Sequence, residues 1–148
     1  MKSTPPTLPP DALPMLSPID VCPSCTKCCR HVAVGIDPPD SIRRISTILW
    51  FLYHNSISIY QSHDNDWFIV FPTTCEHLQQ NGLCGIYENR PFICREYDIV
   101  GCEGTSQEPP EKVKFENAKQ LFQWLSKTRP ALYKRCVERG IVPAQLKV

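Results

Sequence analysis

Thiols are the chemistry this chain can do. Nine cysteines stand among 148 residues, an odd number that full internal pairing cannot satisfy. Four of them, Cys22, Cys25, Cys28 and Cys29, fall within eight residues as C-x2-C-x2-C-C. Two intervening residues let a chain turn so that successive sulfurs converge, and zinc and iron–sulfur sites both use this spacing. Adjacent side chains point apart in most backbone conformations. Cys28 and Cys29 are therefore not expected to serve one mononuclear ion together; one of them ligates a second metal or supports the first from outside. Cys75, Cys84 and Cys94 are expected to complete the set. Cys102 is a candidate eighth ligand, and eight thiolates allow two four-cysteine sites with Cys136 left over. Cys136, alone near the C-terminus, reads as a small buried hydrophobe.

The neighbours of these cysteines fit the same chemistry. Gly82 and Gly85 flank Cys84, and glycine lets backbone approach a metal–sulfur centre and donate N–H bonds to it. Pro91 suits the first position of a short helix, which sets Cys94 in its first turn where the helix dipole favours thiolate. Every ligating cysteine loses a proton, and Lys27, Arg30, Arg90 and Arg95 are placed to offset the accumulated negative charge. His77, two residues from Cys75, either ligates or hydrogen-bonds near the site. His31, His54 and His63 are scattered and have ordinary explanations, so no catalytic acid–base pair stands out.

Composition narrows the classes. A hydrophobic fraction of 42% and a charged fraction of 21% describe a globular chain. A net charge of +1 supplies no general field for nucleic acid or a membrane surface, and no nucleic-acid module is recognisable. The longest apolar run, Ile48 to Tyr53, falls far short of the roughly 20 residues a membrane helix takes. Prolines break the N-terminal stretch, which does not read as a signal peptide, so a cytoplasmic, reducing setting is expected. In that setting clustered cysteines bind metal rather than form disulfides.

The elements that must hold the cysteines read as an α+β domain with short strands, a few helices and cysteine-rich loops pinned by metal. Residues 1–20 form a proline-rich flexible arm, 21–105 the chelating domain, and 111–148 C-terminal helices packing on it. Val32, Val34 and Ile36 alternate as a strand. Asp37-Pro38-Pro39-Asp40 looks like a helix start capped by Asp, and Ile42, Ile45, Leu49 and Leu52 give that helix an apolar face. Ser56 to Tyr60 and Trp67 to Phe71 read as strands joined by a His63–Asp66 turn. Phe115, Ala118, Leu121, Phe122 and Leu125 form a helical stripe, after which Arg129-Pro130 opens a shorter helix closed near Gly140. Arg43-Arg44 reads as a solvated helix face.

The order Cys22-x2-Cys25-x2-Cys28-Cys29, then Cys75-Glu76-His77-Leu78, then Gly82 to Arg95 (GLCGIYENRPFICR) resembles the YkgJ-like cysteine-cluster family. It is also called CxxCxxCC, or a zinc- or iron-chelating domain. The resemblance covers roughly residues 22 to 102 and leaves the C-terminal helices outside. It implies chelation by Cys22, Cys25, Cys28, Cys29, Cys75, Cys84 and Cys94, with Tyr87, Arg90, Pro91 and Arg95 in support. Thr26 departs from the pattern, which usually carries glycine after the second cysteine. The implied cofactor is zinc or iron, including a [4Fe-4S] cluster. A distant branch of the family is linked to flagellin lysine N-methylation through an iron–sulfur centre.

Three functions follow as expectations. The first is a metal-binding protein whose metal organises the fold and a functional site. The second is an iron–sulfur redox protein or a component of an N-methylation-like modification enzyme. The C-x3-C-x2-C order of radical enzymes using S-adenosylmethionine is absent, as is a glycine-rich cofactor loop, so the sequence assigns no reaction. The third is metal delivery, and the partner class for such readings is another protein, a docking partner or a client.

Overall fold

The computed structural model describes residue 22, residues 25–96, residue 102, residues 105–106 and residues 108–148. The proline-rich arm lies outside these. The chain gathers into two compact units. One comprises Met1–Val32 with Thr73–Pro110, and the other Ala33–Pro72 with Glu111–Val148.

The second unit carries the sheet and the long helices, and the α+β class is as expected. Its elements are β1 (His31–Ile36, from Ala33 onward), α1 (Ile42–Leu52), β2 (Ser58–Ser62), β3 (Trp67–Pro72), β4 (Glu111–Phe115), α3 (Ala118–Thr128) and α4 (Pro130–Glu138). A single-turn helix, α2 (Phe92–Arg95), lies in the first unit. The strand order is β1-β3-β2-β4. β2 pairs antiparallel with β3, Ile59 opposite Ile69, and antiparallel with β4, Ile59 opposite Phe115.

That register sets Ile59, Trp67, Ile69 and Phe115 into the core. Trp67 and Phe115 stack with ring centroids 5.8 Å apart. Ile45, Ile48, Leu49 and Leu52 of α1 join this core, together with Ala118, Leu121, Phe122 and Leu125 of α3. Full burial of each large apolar side chain stabilises by about 1.5–3 kcal/mol relative to exposure.

Three boundaries differ from the sequence reading. Ser41, not an aspartate, caps α1: its Oγ accepts the Arg44 N–H at 3.3 Å. Asp40 instead holds the Arg44 guanidinium at 2.6 Å, one turn along. β2 begins at Ser58 because Ser56 has φ 66°, a turn conformation that a strand cannot contain. Finally, Phe115 closes a strand and does not open the helix. Glu111-Lys112-Val113-Lys114-Phe115 alternates with period two, and Asn117 caps α3 by accepting the Gln120 N–H at 3.0 Å. The strand was hidden because Phe115 also falls in register with the helical stripe. α4 ends as expected, with Gly140 at φ 69°.

Cys136 sits on α4 with none of its surface exposed. Burial pushes its thiol up from the ordinary 9.0, partly opposed by Arg135. The raised value favours the protonated form in the folded state, so the stability it contributes is present below pH 9.0 and is lost as pH rises through the folded pKa. Cys136→Ser buries a hydroxyl among apolar atoms and should cost about 1–3 kcal/mol in chemical denaturation. Cys136→Ala should lose less stability than the parent when both are taken above pH 9.0.

Candidate metal centre

Eight of the nine cysteines belong to the first unit, and Cys136 alone to the second. All nine are free thiols. None of the described residues of the first unit is in the buried apolar core, every member of which belongs to the second unit. Turns, backbone bonds and arginines shape the first unit instead.

The first cysteine segment bends sharply. The Thr26 N–H reaches the Cys22 carbonyl at 3.0 Å, and Thr26 takes φ 50°, ψ 10°. A single 3-10 turn, Lys27–Cys29, follows directly. This left-handed position is where the family resemblance expects glycine, and a β-branched residue is strained there. The Thr26 Oγ1 accepts a 2.9 Å bond from Arg30 Nε, a surface contact.

Two backbone bonds then join this segment to the next: Thr73 N–H to the Arg30 carbonyl at 3.0 Å and Cys75 N–H to the Cys29 carbonyl at 2.8 Å. From Cys75 the chain folds into a compact loop in which Leu78 bridges Cys84 and the Gly85 N–H reaches the His77 carbonyl at 2.8 Å. Gly82 has φ 82°, the conformation glycine adopts most readily. A Cβ on Gly85 would stand 3.3 Å from both the His77 carbonyl oxygen and Gln79 Nε2, so the glycine admits a close approach. Both glycine N–H groups bond carbonyls, Gly82 to Gln79 and Gly85 to His77. The expectation that they donate to a metal–sulfur centre is corrected: they tighten the loop.

Arginines lock the last segment. The Arg90 guanidinium lies over the Tyr87 ring at 3.8 Å, its Nε donates to the Tyr87 carbonyl at 2.9 Å, and Nη1 reaches the Cys94 carbonyl at 3.5 Å. Arg95 donates to the Arg90 carbonyl at 2.7 Å and the Glu88 carbonyl at 3.2 Å. These two arginines act chiefly as pins on carbonyls, although Arg90 also lowers the Cys22 pKa as the weakest of its influences. Pro91 is the residue before α2 rather than its first, and α2 is one turn long, too short for a substantial dipole at Cys94. The Cys94 N–H is taken by the Pro91 carbonyl at 3.0 Å. Beside Cys94, Phe92 and Ile93 stand largely exposed.

The thiols perturb one another. Burial above all, then the neighbouring Cys29 and Cys22, pushes the Cys28 thiol up to about 12. Burial raises Cys29 as well, with Cys75, Cys84 and Cys94 adding to the rise and the Cys28 hydrogen bond opposing it. Cys22 is raised by burial, then by Cys102, Cys25 and Cys29. The two adjacent thiols thus influence each other's ionisation. Among the described residues, no three His, Cys, Asp or Glu side chains stand close enough to hold one metal ion. The thiols gather without closing on a common point.

His77 lies 3.5 Å from a Glu76 carboxylate oxygen. His54 bonds the Trp50 carbonyl at 2.7 Å, the ordinary role expected of it. In the second unit, an open cleft of about 800 Å³ is bordered by Asp37, Arg43, Arg44, Asp66 and Phe51. Arg44 there pairs with Asp40 and Asp37 and is half-exposed.

The CxxCxxCC family model, described as "Putative zinc- or iron-chelating domain", matches residues 21–128. The chain belongs to this family. The match runs past the motif region through β4 and α3, so the CxxCxxCC domain includes C-terminal elements that motif resemblance alone leaves outside. No match was found among curated proteins or among solved structures. The domain's description is of metal chelation, and its donors here are soft thiols that suit zinc, iron–sulfur and copper(I) alike. No helix among the described residues is long and apolar enough to cross a membrane.

Thr26→Gly should relieve the left-handed strain and stabilise the metal-free protein by about 1 kcal/mol, a gain read as a shift in the denaturation midpoint. An unchanged or lowered midpoint would show that the Arg30 contact outweighs the strain.

Proposed function

We propose that this CxxCxxCC domain is a zinc- or iron-chelating protein whose thiolates, Cys22, Cys25, Cys28, Cys29, Cys75, Cys84, Cys94 and Cys102, organise the first unit. One observation carries the reading: a compact unit that adds no described residue to the buried core holds eight of the nine cysteines. Small units without an adequate apolar core need cross-links or metal to stay folded. A bound structural zinc ion supplies apparent folding free energy of about 10–16 kcal/mol in zinc-finger peptides at neutral pH.

The residues divide the work. The cysteines hold the metal as thiolates. Arg90 and Arg95 keep the segment around Cys94 in shape through its carbonyls. The bond from Cys75 to Cys29 joins two cysteine segments through the backbone.

The second reading, an iron–sulfur redox protein or a component of a protein-modification enzyme, draws on the three closely spaced cysteines with distal partners, a ligation pattern shared with ferredoxins. Anaerobic purification with analysis for zinc, iron and sulfide separates the two readings. Colourless protein with zinc favours the first, and brown protein with iron and sulfide the second.

Hydrogen exchange then tests the role of the metal. A chelator should strip amide protection from residues 25–30 and 73–96 while α1, α3 and α4 keep theirs, because their core lies in the second unit. Unchanged protection in the first unit after complete metal removal would sink the folding role.

A further inference from the structure

We propose that a hollow in the second unit, between the start of α1 and the residues just after α4, binds an organic phosphate through Arg43 and Arg139. The site uses none of the thiols and stands apart from the chelation reading.

The hollow has a volume of about 520 Å³ and is lined by Ile42, Arg43, Ser46, Thr47, Arg139 and Ile141. Arg43, Ser46 and Thr47 share one face of α1, because residues three and four apart are neighbours on a helix. Arg139 closes the end of α4, and Gly140 at φ 69° turns the chain so that Ile141 joins the same wall. α1 and α4 are in contact, and Ile45, Cys136 and Val142 lie together in the buried core beneath them. The fold thus brings to one cavity two arginines that are far apart in the sequence.

Neither guanidinium is neutralised there. The nearby acids are engaged elsewhere, Asp37 and Asp40 with Arg44, and Glu138 with Lys134 at 3.9 Å. Among the described residues, the side chains of Arg43 and Arg139 have no ion pair, and no carboxylate lines the hollow. Two like charges on one cavity repel each other, and an anion between them turns that repulsion into attraction. Thr47 Oγ1 is committed to the Arg43 carbonyl at 3.1 Å, whereas the Ser46 hydroxyl has no partner among the described residues and is available to donate.

The lining selects the ligand. Guanidinium forks match phosphate oxygens, and a tetrahedral oxyanion offers acceptors enough for two arginines and a hydroxyl at once. Ile42 and Ile141 add apolar wall, and the volume falls within the roughly 300–1,000 Å³ of small-molecule sites. A bare phosphate would leave most of that space and both isoleucines uncovered, so the ligand carries a carbon body. The larger cleft that Arg43 and Thr47 also border contains Asp37 and Asp66, whose charges turn an anion away.

The full chain, purified anaerobically, is titrated with phenyl phosphate, inorganic phosphate and benzoate while the arginine Nε–H resonances are followed by NMR. Phenyl phosphate should bind most tightly of the three and shift the resonances of Arg43 and Arg139. Arg43→Gln and Arg139→Gln should each weaken its binding by about tenfold or more. Lys127→Gln, which removes the same charge from the last turn of α3, should leave it unchanged. Both arginines are exposed, so the unliganded variants should unfold at the same temperature as the parent. Absence of saturable phenyl phosphate binding to the parent, or equal weakening by Lys127→Gln, would overturn the site. Inorganic phosphate binding as tightly as phenyl phosphate would overturn the organic body of the ligand, and benzoate doing so would overturn its phosphate.

Discussion

The described residues of the first unit hold their shape without adding any member to the buried apolar core. Among the described residues, every member of the buried core belongs to the second unit, where β2, β3 and β4 present Ile59, Trp67, Ile69 and Phe115 to the helices. A backbone bond contributes a net 0.5–1.5 kcal/mol or so, while ordering each residue costs about 1–2 kcal/mol in backbone entropy. Turns and carbonyl contacts alone therefore contribute little net stability to such a segment. Concentrated thiols are the one resource this unit has in excess, and its conformational details make sense as ways of presenting them.

Those details share a theme. Thr26 accepts a left-handed conformation, and a 3-10 turn, Lys27–Cys29, follows it directly. Gly85 permits a contact a side chain would obstruct, while Arg90 and Arg95 bond carbonyls of the segment between Glu88 and Cys94. None of these features buries much surface. They restrict where sulfur atoms can go, which lowers the entropy still to be lost when ligands are recruited.

Much of this was legible in the sequence. The α1 face, the β2–β3 hairpin, the Arg129-Pro130 break and the isolation of Cys136 all followed from periodicity and turn chemistry. β4 did not, because Phe115 satisfies a helical repeat and a strand repeat at once, and only pairing with β2 decides between them. The cap at Ser41 was obscured by two nearby aspartates, one of which is committed to Arg44. Around the cysteines, spacing revealed the donors but could not reveal the uses of the glycine N–H groups. Those depend on which carbonyls lie opposite, information held by the Leu78–Cys84 bridge and not by local sequence.

The bond between Cys29 and Cys75 also has a temporal side. Ala33–Pro72 belongs to the other unit and lies between the two cysteine segments in the chain. At about 5–20 residues per second of synthesis, Cys29 waits several seconds on the nascent chain before Cys75 exists, and longer still before Cys102. The order of synthesis thus makes Cys22 to Cys29 well before the cysteines with which they share the first unit.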